Sequence, residues 1–207
     1  EKVIDFGSRA GHEVPVKAKA IMAAYYGSGP EFSFINGCGG SAQTAQNALQ
    51  RYPDDYDAVA ITGLSDKTHH IFYQMWNWAA THLNEASYIP PEKFTMLHDA
   101  VIQQCDVLDR VIDQVIENPK ICKFDPAVLQ CAAGTNNASC LTEPQVTAVR
   151  KIYAGPSNPL THQQIFPGPQ PGSELRWWRT TTGEEPFALA ADFFKYFVFK
   201  DADWDYK

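Results

Sequence analysis

Three aspartates, Asp106, Asp109 and Asp113, follow Cys105 at spacings of three and four residues. Calcium takes about six to eight oxygen ligands from carboxylates, backbone carbonyls and water, so three carboxylates in one short loop suit this ion. Without a cation, their charges would repel one another. The apolar residues between them also match an amphipathic helix with a solvated acidic face, and periodicity alone favours that helix.

A second group of residues that could take part in catalysis lies in the glycine-rich turn at residues 36–41. A sharp turn from a strand into a helix is where α/β-hydrolases carry a nucleophilic serine, with the next backbone N–H helping to hold the oxyanion. The pattern Gly-x-Ser-x-Gly is matched only in part by Gly39-Gly40-Ser41-Ala42-Gln43, because Gln43 replaces the last glycine. A tight turn without catalytic role, or a phosphate-binding nest, explains the same residues equally well.

The elements that position this turn form a strand, turn, helix and strand in sequence. Strands are predicted at residues 32–35 and 57–62, on either side of a helix at 42–51, and a first helix at 16–26 ends at Gly27. Such a βαβ pattern predicts parallel strands. Further helices are predicted at 68–83, 91–104, 143–153 and 187–199, separated by loops rich in cysteine, proline and glycine. Because two parallel strands do not form a stable domain, we expect part of a larger sheet with a helical insertion.

Composition excludes several classes of protein. The chain has 207 residues, of which 44% are hydrophobic, enough for one large domain or a domain with an insertion. A net charge of −7 argues against a nucleic-acid partner. No apolar run reaches membrane-spanning length, so no membrane partner is expected. The first residues lack the pattern of a signal peptide, as expected of a mature or truncated chain.

The cysteines indicate an oxidising compartment. Four of the five, Cys105, Cys122, Cys131 and Cys140, lie close together, and none forms a Cys-x-x-Cys pair. This disfavours a structural zinc site and favours disulfides, hence a secreted protein, extracellular or periplasmic. Cys38 is left over and is expected to be free or paired outside this chain. In a eukaryotic secretory host, Asn137-Ala138-Ser139 would also be a glycosylation acceptor.

Several motifs together resemble the tannase and feruloyl esterase family. The resemblance covers nearly the whole chain and implies an α/β-hydrolase fold with a calcium-binding lid. Residues 1–63 would be a partial hydrolase core with the elbow turn, 64–200 the mainly helical, loop-rich lid, and 201–207 the return to the core. The residues that carry it include Phe34-Ile35-Asn36-Gly37-Cys38, Gln50-Arg51-Tyr52-Pro53, Cys122-Lys123-Phe124-Asp125-Pro126, Tyr153-Ala154-Gly155-Pro156 and Pro171-Gly172-Ser173-Glu174.

The resemblance implies a carboxylic ester hydrolase that uses a Ser-His-Asp acyl-enzyme mechanism on feruloyl, galloyl or related aromatic esters, including plant polysaccharide esters. In this family register the nucleophilic serine falls on Gly39, which has no side chain. Ser41 lies two residues on, about 200° away around a helix, and should not face the same pocket. The family's catalytic His and Asp follow the lid, beyond the end of this chain, and Cys38 would pair with the remainder of the hydrolase domain. This chain alone is therefore expected to be inactive; the alternative is a non-catalytic, calcium-stabilised extracellular binding module.

The same resemblance implies a structural calcium site. Its ligands would be the side chains of Asp106, Asp109 and Asp113 with the carbonyls of Val111 and Val115. Arg110 and Gln114 stand where the family commonly has glycine, at a cost of about 1 kcal/mol or more if φ is positive there.

The resemblance also suggests disulfide pairs and an aromatic contact. It implies the pairs Cys105–Cys122 and Cys131–Cys140. It places Trp177-Trp178 where an aromatic acyl group would stack, although packing within the lid core is the alternative for these two side chains.

Overall fold

The structure, a computed structural model, describes residues 1–64, 67–181 and 183–206, with side chains for all of these except residues 67–70. The chain divides into two compact units, Glu1–Lys67 and Thr68–Lys207. Within the described residues, no helix is both long enough and apolar enough to cross a membrane.

The first unit is built around one parallel strand pair and the helix between its strands. Residue Phe34 of the first strand pairs with Ala58 of the second, and the register continues to Cys38 opposite Thr62. The predicted parallel βαβ arrangement is therefore confirmed. Its elements in chain order are helix α1 (Lys2–Ile4), a π-helical turn (Asp5–Arg9), α2 (Ala10–Tyr26), β1 (Phe34–Cys38), α3 (Gly40–Arg51), a 3-10 turn (Pro53–Asp55) and β2 (Ala58–Thr62).

Two boundaries in this unit differ from the sequence prediction. Helix α2 starts six residues earlier than expected and contains the buried Pro15, but it ends at Gly27 as predicted, with φ 81°. Strand β1 runs to Cys38 rather than ending at residue 35, because its last residues pair with β2. Helix α3 packs through small residues at a spacing of three, Ala42, Ala45 and Ala48.

The second unit is mainly helical, as expected, with long irregular segments. Its core contains Leu97 and Phe94 of α5, Val149 and Ile152 of α6, and Trp177. Its elements are α4 (Lys67–Thr81), a 3-10 turn (Glu85–Ser87), α5 (Lys93–Cys105), 3-10 turns at Asp106–Asp109 and Pro126–Leu129, α6 (Glu143–Ala154), a 3-10 turn (Glu174–Arg176), α7 (Trp178–Thr181), α8 (Ala188–Phe193) and a π-helical turn (Phe194–Phe199).

Two disulfides hold the irregular segments of this unit. Cys105 bonds Cys122, 17 residues on, and Cys131 bonds Cys140, 9 residues on. Both implied pairings are confirmed. In the chain-entropy picture, loops of these lengths stabilise the fold by about 3 kcal/mol each. Cys38 is a free, exposed thiol.

Candidate functional site

The turn after β1 passes sharply from a strand into a helix, which is also the geometry of a nucleophile elbow. Gly39 has φ 59° and ψ −117°, a combination that residues with side chains rarely adopt, and α3 begins at the next residue. Gly37 allows the helix to approach the strand, because a Cβ there would lie 2.4 Å from the carbonyl oxygen of Ser41. Together these two glycines place position 39 at the apex between strand and helix, where an elbow carries its nucleophile.

Position 39 itself has no reactive group. A Cβ built on Gly39 would meet no atom within 4 Å, so the position is open, but glycine supplies no hydroxyl. Gly40 follows as the first residue of α3, and the first N–H groups of a helix have no acceptor within it. The turn therefore keeps the backbone N–H groups that an oxyanion or another anion needs, without the attacking atom.

The hydroxyl of Ser41 is held against the strand. Its Oγ donates to the carbonyl oxygen of Cys38 at 2.9 Å and accepts the N–H of Cys38 at 2.9 Å. These bonds fix Ser41 beside the backbone of β1 rather than at the apex. They support the interpretation that Gly39, and not Ser41, stands at the nucleophile position.

The aspartate-rich segment is a loop and not a continuation of helix α5. After the 3-10 turn Asp106–Asp109, Arg110 has φ 75° and ψ 11°, a left-handed conformation that ends the helical path. Val111 and Ile112 are exposed, at 55% and 80% of their surface. An amphipathic helix that packed through these residues would bury them. The amphipathic-helix alternative is therefore wrong for this segment.

Each aspartate of the loop accepts hydrogen bonds from the backbone. The buried Asp106 accepts the N–H groups of Asp113, at 3.4 Å, and of Gln114, at 3.0 Å. Asp109 Oδ1 accepts the N–H of Val111 at 2.8 Å. Asp113 Oδ1 accepts the N–H of Val115 at 3.1 Å. The loop thus wraps around the carboxylate of Asp106, and the disulfide from Cys105 closes it.

The donors in this loop suit calcium in type, since carboxylate and carbonyl oxygens are its usual ligands. They are not gathered in one place: in the part of the chain that the structure describes, no group of three or more His, Cys, Asp or Glu side chains is arranged to hold a metal ion. Arg110 and Gln114 both have positive φ, 75° and 68°. This conformation favours glycine, the residue that the family commonly has at these two positions. Calcium binding stays a prediction.

A shallow cavity of about 380 Å³ lies between α5 and this loop. Its walls combine aliphatic side chains with carboxylates and one imidazole. The residues that line it include His98, Asp99, Ile102, Asp106, Ile112 and Gln114.

A buried glutamate network lies beside this cavity, and the sequence analysis did not identify it. Glu174 is fully buried and accepts the hydroxyl of Tyr153 at 2.6 Å and the N–H of Gly172 at 2.8 Å. His98 Nδ1 lies 3.0 Å from its other oxygen. Burial, and the charge of Glu174 beside it, raise the pKa of Tyr153 far above the ordinary range. The available signal was that Glu174 ends one family motif and Tyr153 begins another, but no pattern connects either residue with His98, 76 residues before Glu174.

The two adjacent tryptophans have different environments. Trp177 is buried in the core, edge-on to Phe94 and Tyr153, and its indole N–H donates to Ser173. Trp178 is 46% exposed, with the guanidinium of Arg179 5.5 Å from its ring centre. The packing alternative therefore describes Trp177, and of the pair Trp178 is the side chain that a ligand can reach.

Among the described histidine side chains, His12 and His82 make packing contacts and His162 is exposed, as expected of packing or surface residues. His12 stacks on Tyr52 and lies 2.8 Å from Asp55. His82 stacks on the indole of Trp78. Those of His69 and His70 lie outside the described side chains.

A family profile and several sequence relatives match this chain. The sequence profile of the family described as tannase and feruloyl esterase matches residues 1–199. A protein named probable feruloyl esterase B-1 from Aspergillus oryzae is 30% identical over 99% of the chain and 38% of its own length. An uncharacterised esterase of Xanthomonas campestris is 33% identical over 83% of the chain and 30% of its own length.

Solved structures agree with these sequence relatives. The crystal structure of feruloyl esterase B from Aspergillus oryzae superposes with a TM-score of 0.75 at 29% identity, covering 98% of this chain and 41% of that one. Tannin acyl hydrolase from Aspergillus niger gives a TM-score of 0.63 at 18% identity, over 95% of this chain and 39% of that one, which is a likeness of fold. The chain spans between 30% and 40% of the length of the curated relatives it matches.

Proposed function

Because the chain belongs to the tannase and feruloyl esterase family, we propose that the protein containing it is built as a carboxylic ester hydrolase for feruloyl, galloyl or related aromatic esters. The observation that carries this proposal is the backbone of Gly39, whose φ of 59° and ψ of −117° make a strained strand-to-helix turn of the kind on which a nucleophile elbow is built. Related proteins that share the fold are named as feruloyl esterases and a tannin acyl hydrolase.

In such a site, a hydroxyl at the elbow attacks the ester carbonyl while a histidine, oriented by an aspartate, takes its proton. The negative charge that develops on the carbonyl oxygen is held by backbone N–H groups, among them that of the residue after the nucleophile. Here Gly40 supplies that N–H, but Gly39 supplies no hydroxyl. The chain as it stands is therefore proposed not to cleave esters.

The experiment is the substitution Gly39→Ser in the full-length protein, assayed on methyl ferulate and on a p-nitrophenyl ester. Space is available, since a Cβ at position 39 meets no atom within 4 Å, although the backbone strain costs about 1–3 kcal/mol. Hydrolysis should rise by about three orders of magnitude or more over the wild type. Gly39→Ala is the matched control, because it adds the same Cβ and strain without the hydroxyl, and it should stay inactive.

The second candidate is a non-catalytic binding module, which the missing side chain at Gly39 favours. In that case the wild-type protein binds an aromatic ester and leaves it intact, and Gly39→Ser in a folded, full-length protein stays inactive. Trp178 is proposed to contact the aromatic group, since it is the exposed member of the pair. Calorimetry with methyl ferulate should show about a fivefold or greater loss of affinity in Trp178→Ala, in line with the roughly 1 kcal/mol of an aromatic contact.

We also propose that the loop from Asp106 to Val115 binds a structural calcium ion. The ligands would be the three aspartates Asp106, Asp109 and Asp113, with the carbonyls of Val111 and Val115, which requires the carboxylates to turn from the backbone towards the ion. Calcium titration by calorimetry tests this, with Asp109→Asn expected to weaken binding about tenfold or more. Asp99→Asn is the control, because Asp99 lines the neighbouring cavity outside the ligand set; equal effects of both variants would contradict the proposed ligands.

The protein is further proposed to be secreted, where its ester would come from plant polysaccharide or a small aromatic molecule. The two disulfides support an oxidising compartment. The exposed thiol of Cys38 is proposed to pair with a cysteine elsewhere in the full-length protein. Peptide mapping without reduction tests the pairing: an unmodified Cys38 thiol in the secreted full-length protein would rule it out.

A further inference from the structure

A short loop in the second unit is fixed at its base. The disulfide between Cys131 and Cys140 closes it. Beside the disulfide, the N–H of Cys131 donates to the carbonyl oxygen of Leu141, and the N–H of Leu141 donates to that of Leu129, both at 2.8 Å. The disulfide and these hydrogen bonds therefore hold the two ends of the loop from Cys131 to Cys140 together.

One side chain of the loop ties it to the helical core. Asn136 Oδ1 accepts a hydrogen bond from the ammonium of Lys93 at 2.8 Å. Lys93 is buried, at 2% exposure, and its second partner is the side-chain oxygen of Gln145 at 2.8 Å. The anchor at Asn136 leaves the following residue, Asn137, on the exposed surface.

Asn137 forms a tight Asx turn with Ser139. Its Oδ1 accepts the backbone N–H of Ser139 at 2.9 Å and the hydroxyl of Ser139 at 2.7 Å. Ala138 between them is exposed and is not proline. Both hydrogen bonds use the oxygen of the asparagine amide, so its nitrogen is not engaged by Ser139.

We propose that Asn137 is an acceptor for an N-linked oligosaccharide when the protein passes through a eukaryotic secretory pathway. The pattern Asn-x-Ser in a surface loop of a disulfide-bonded protein is what that modification requires. The structure adds that the serine hydroxyl already contacts the amide that must react. This inference is independent of ester hydrolysis.

The transfer needs a lipid-linked pyrophosphoryl oligosaccharide as co-reactant. The side-chain nitrogen of Asn137 forms a bond to the anomeric carbon of the sugar, and the bond from that carbon to the pyrophosphate oxygen breaks. The lipid pyrophosphate leaves with the electron pair, and the amide nitrogen releases one proton. The product carries a bulky hydrophilic group on the exposed face of the loop.

The test uses the full-length protein secreted from yeast, with peptide N-glycosidase treatment and mass spectrometry of the peptide that contains Asn137. The wild type should carry a glycan there, which the enzyme removes while converting the asparagine to aspartate. Ser139→Ala and Asn137→Gln should lose it completely. Ser139→Thr is the matched control, because it keeps the hydroxyl and should keep the glycan.

Disulfide mapping and thermal unfolding establish that each secreted variant is folded. A folded wild type with an unmodified Asn137 overturns the proposal, as does a glycan that appears only in Ser139→Thr. A glycan that persists on this peptide in Ser139→Ala also overturns it, because the hydroxyl would then have no part in acceptor recognition.

Discussion

Glycine at position 110 or 114 should make the protein more stable. Arg110 has φ 75° and Gln114 has φ 68°, and the left-handed conformation costs a residue with a Cβ about 1–2 kcal/mol. Glycine removes that strain but loses more chain entropy on folding, about 0.5–1 kcal/mol. We therefore expect Arg110→Gly and Gln114→Gly each to gain about 0.5–1 kcal/mol, or about 2 °C in melting temperature for a protein of this size or larger.

The matched control is alanine at the same positions. Arg110→Ala and Gln114→Ala remove the same side-chain atoms but keep the Cβ, so the difference between glycine and alanine variants isolates the backbone strain. Urea denaturation of the full-length protein, with excess calcium and again with a chelator, measures the free energy of unfolding. If glycine is no more stable than alanine at either position, the inference that these residues are strained is refuted.

Comparing variants at Arg110 and Gln114 also distinguishes the effect of backbone strain from the effect of the arginine charge on calcium affinity. A unit positive charge about 10 Å from a calcium ion in water disfavours binding by about 0.8 kcal/mol, or about fourfold in affinity. Arg110→Ala and Arg110→Gly should both tighten calcium binding by about that factor, whereas Gln114→Ala should not. A calcium affinity that changes equally in the Arg110 and Gln114 variants would contradict this assignment.

Three further predictions concern the second unit. Glu174→Gln should destabilise the protein by about 2–3 kcal/mol in urea denaturation, because it weakens the buried acceptor of the Tyr153 hydroxyl and the Gly172 N–H, which also contacts His98. A loss below about 0.5 kcal/mol would mean that the network is not stabilising. The side-chain hydrogen bond from Arg150 lowers the pKa of Asp125, so the ion pair stabilises the fold above the unfolded pKa of about 4 and is lost as pH falls through the lower folded value. The stability difference between wild type and Arg150→Ala should therefore shrink on acidification, and a difference independent of pH would contradict this. Replacing Cys131 and Cys140 together by serine should cost about 3 kcal/mol, and an unchanged urea midpoint would show that the disulfide adds nothing.

Much of the fold could be predicted because its signals are local. A short apolar run at residues 32–35, helix-forming residues at 42–51 and the alternation of Val59 and Ile61 indicated β1, α3 and β2, and the glycines between them indicated the turn. Gly37 is required because the helix approaches within 2.4 Å of where its Cβ would lie. Only glycine fits where a helix approaches a strand this closely, so the close approach can be predicted from the glycine in the sequence.

The disulfide pairs and the family also followed from the sequence, through several motifs read together. The acidic loop shows the limit of that approach. The spacing of its aspartates matched a helix as well as a calcium loop. The left-handed backbone at Arg110 decides that the segment is a loop. A glycine at this position would have indicated that conformation in the sequence, but an arginine does not.

Long-range contacts decided the rest. Glu174 meets His98, 76 residues away, and Tyr153, 21 residues away, and no periodic pattern encodes such a meeting. Trp177 and Trp178 are adjacent and of one type, but successive residues in a helical turn point about 100° apart. One indole therefore lies in the core and the other is exposed. The sequence by itself determined which residues could do chemistry, whereas packing around α5 and α6 determined which of them are buried and which can meet a ligand.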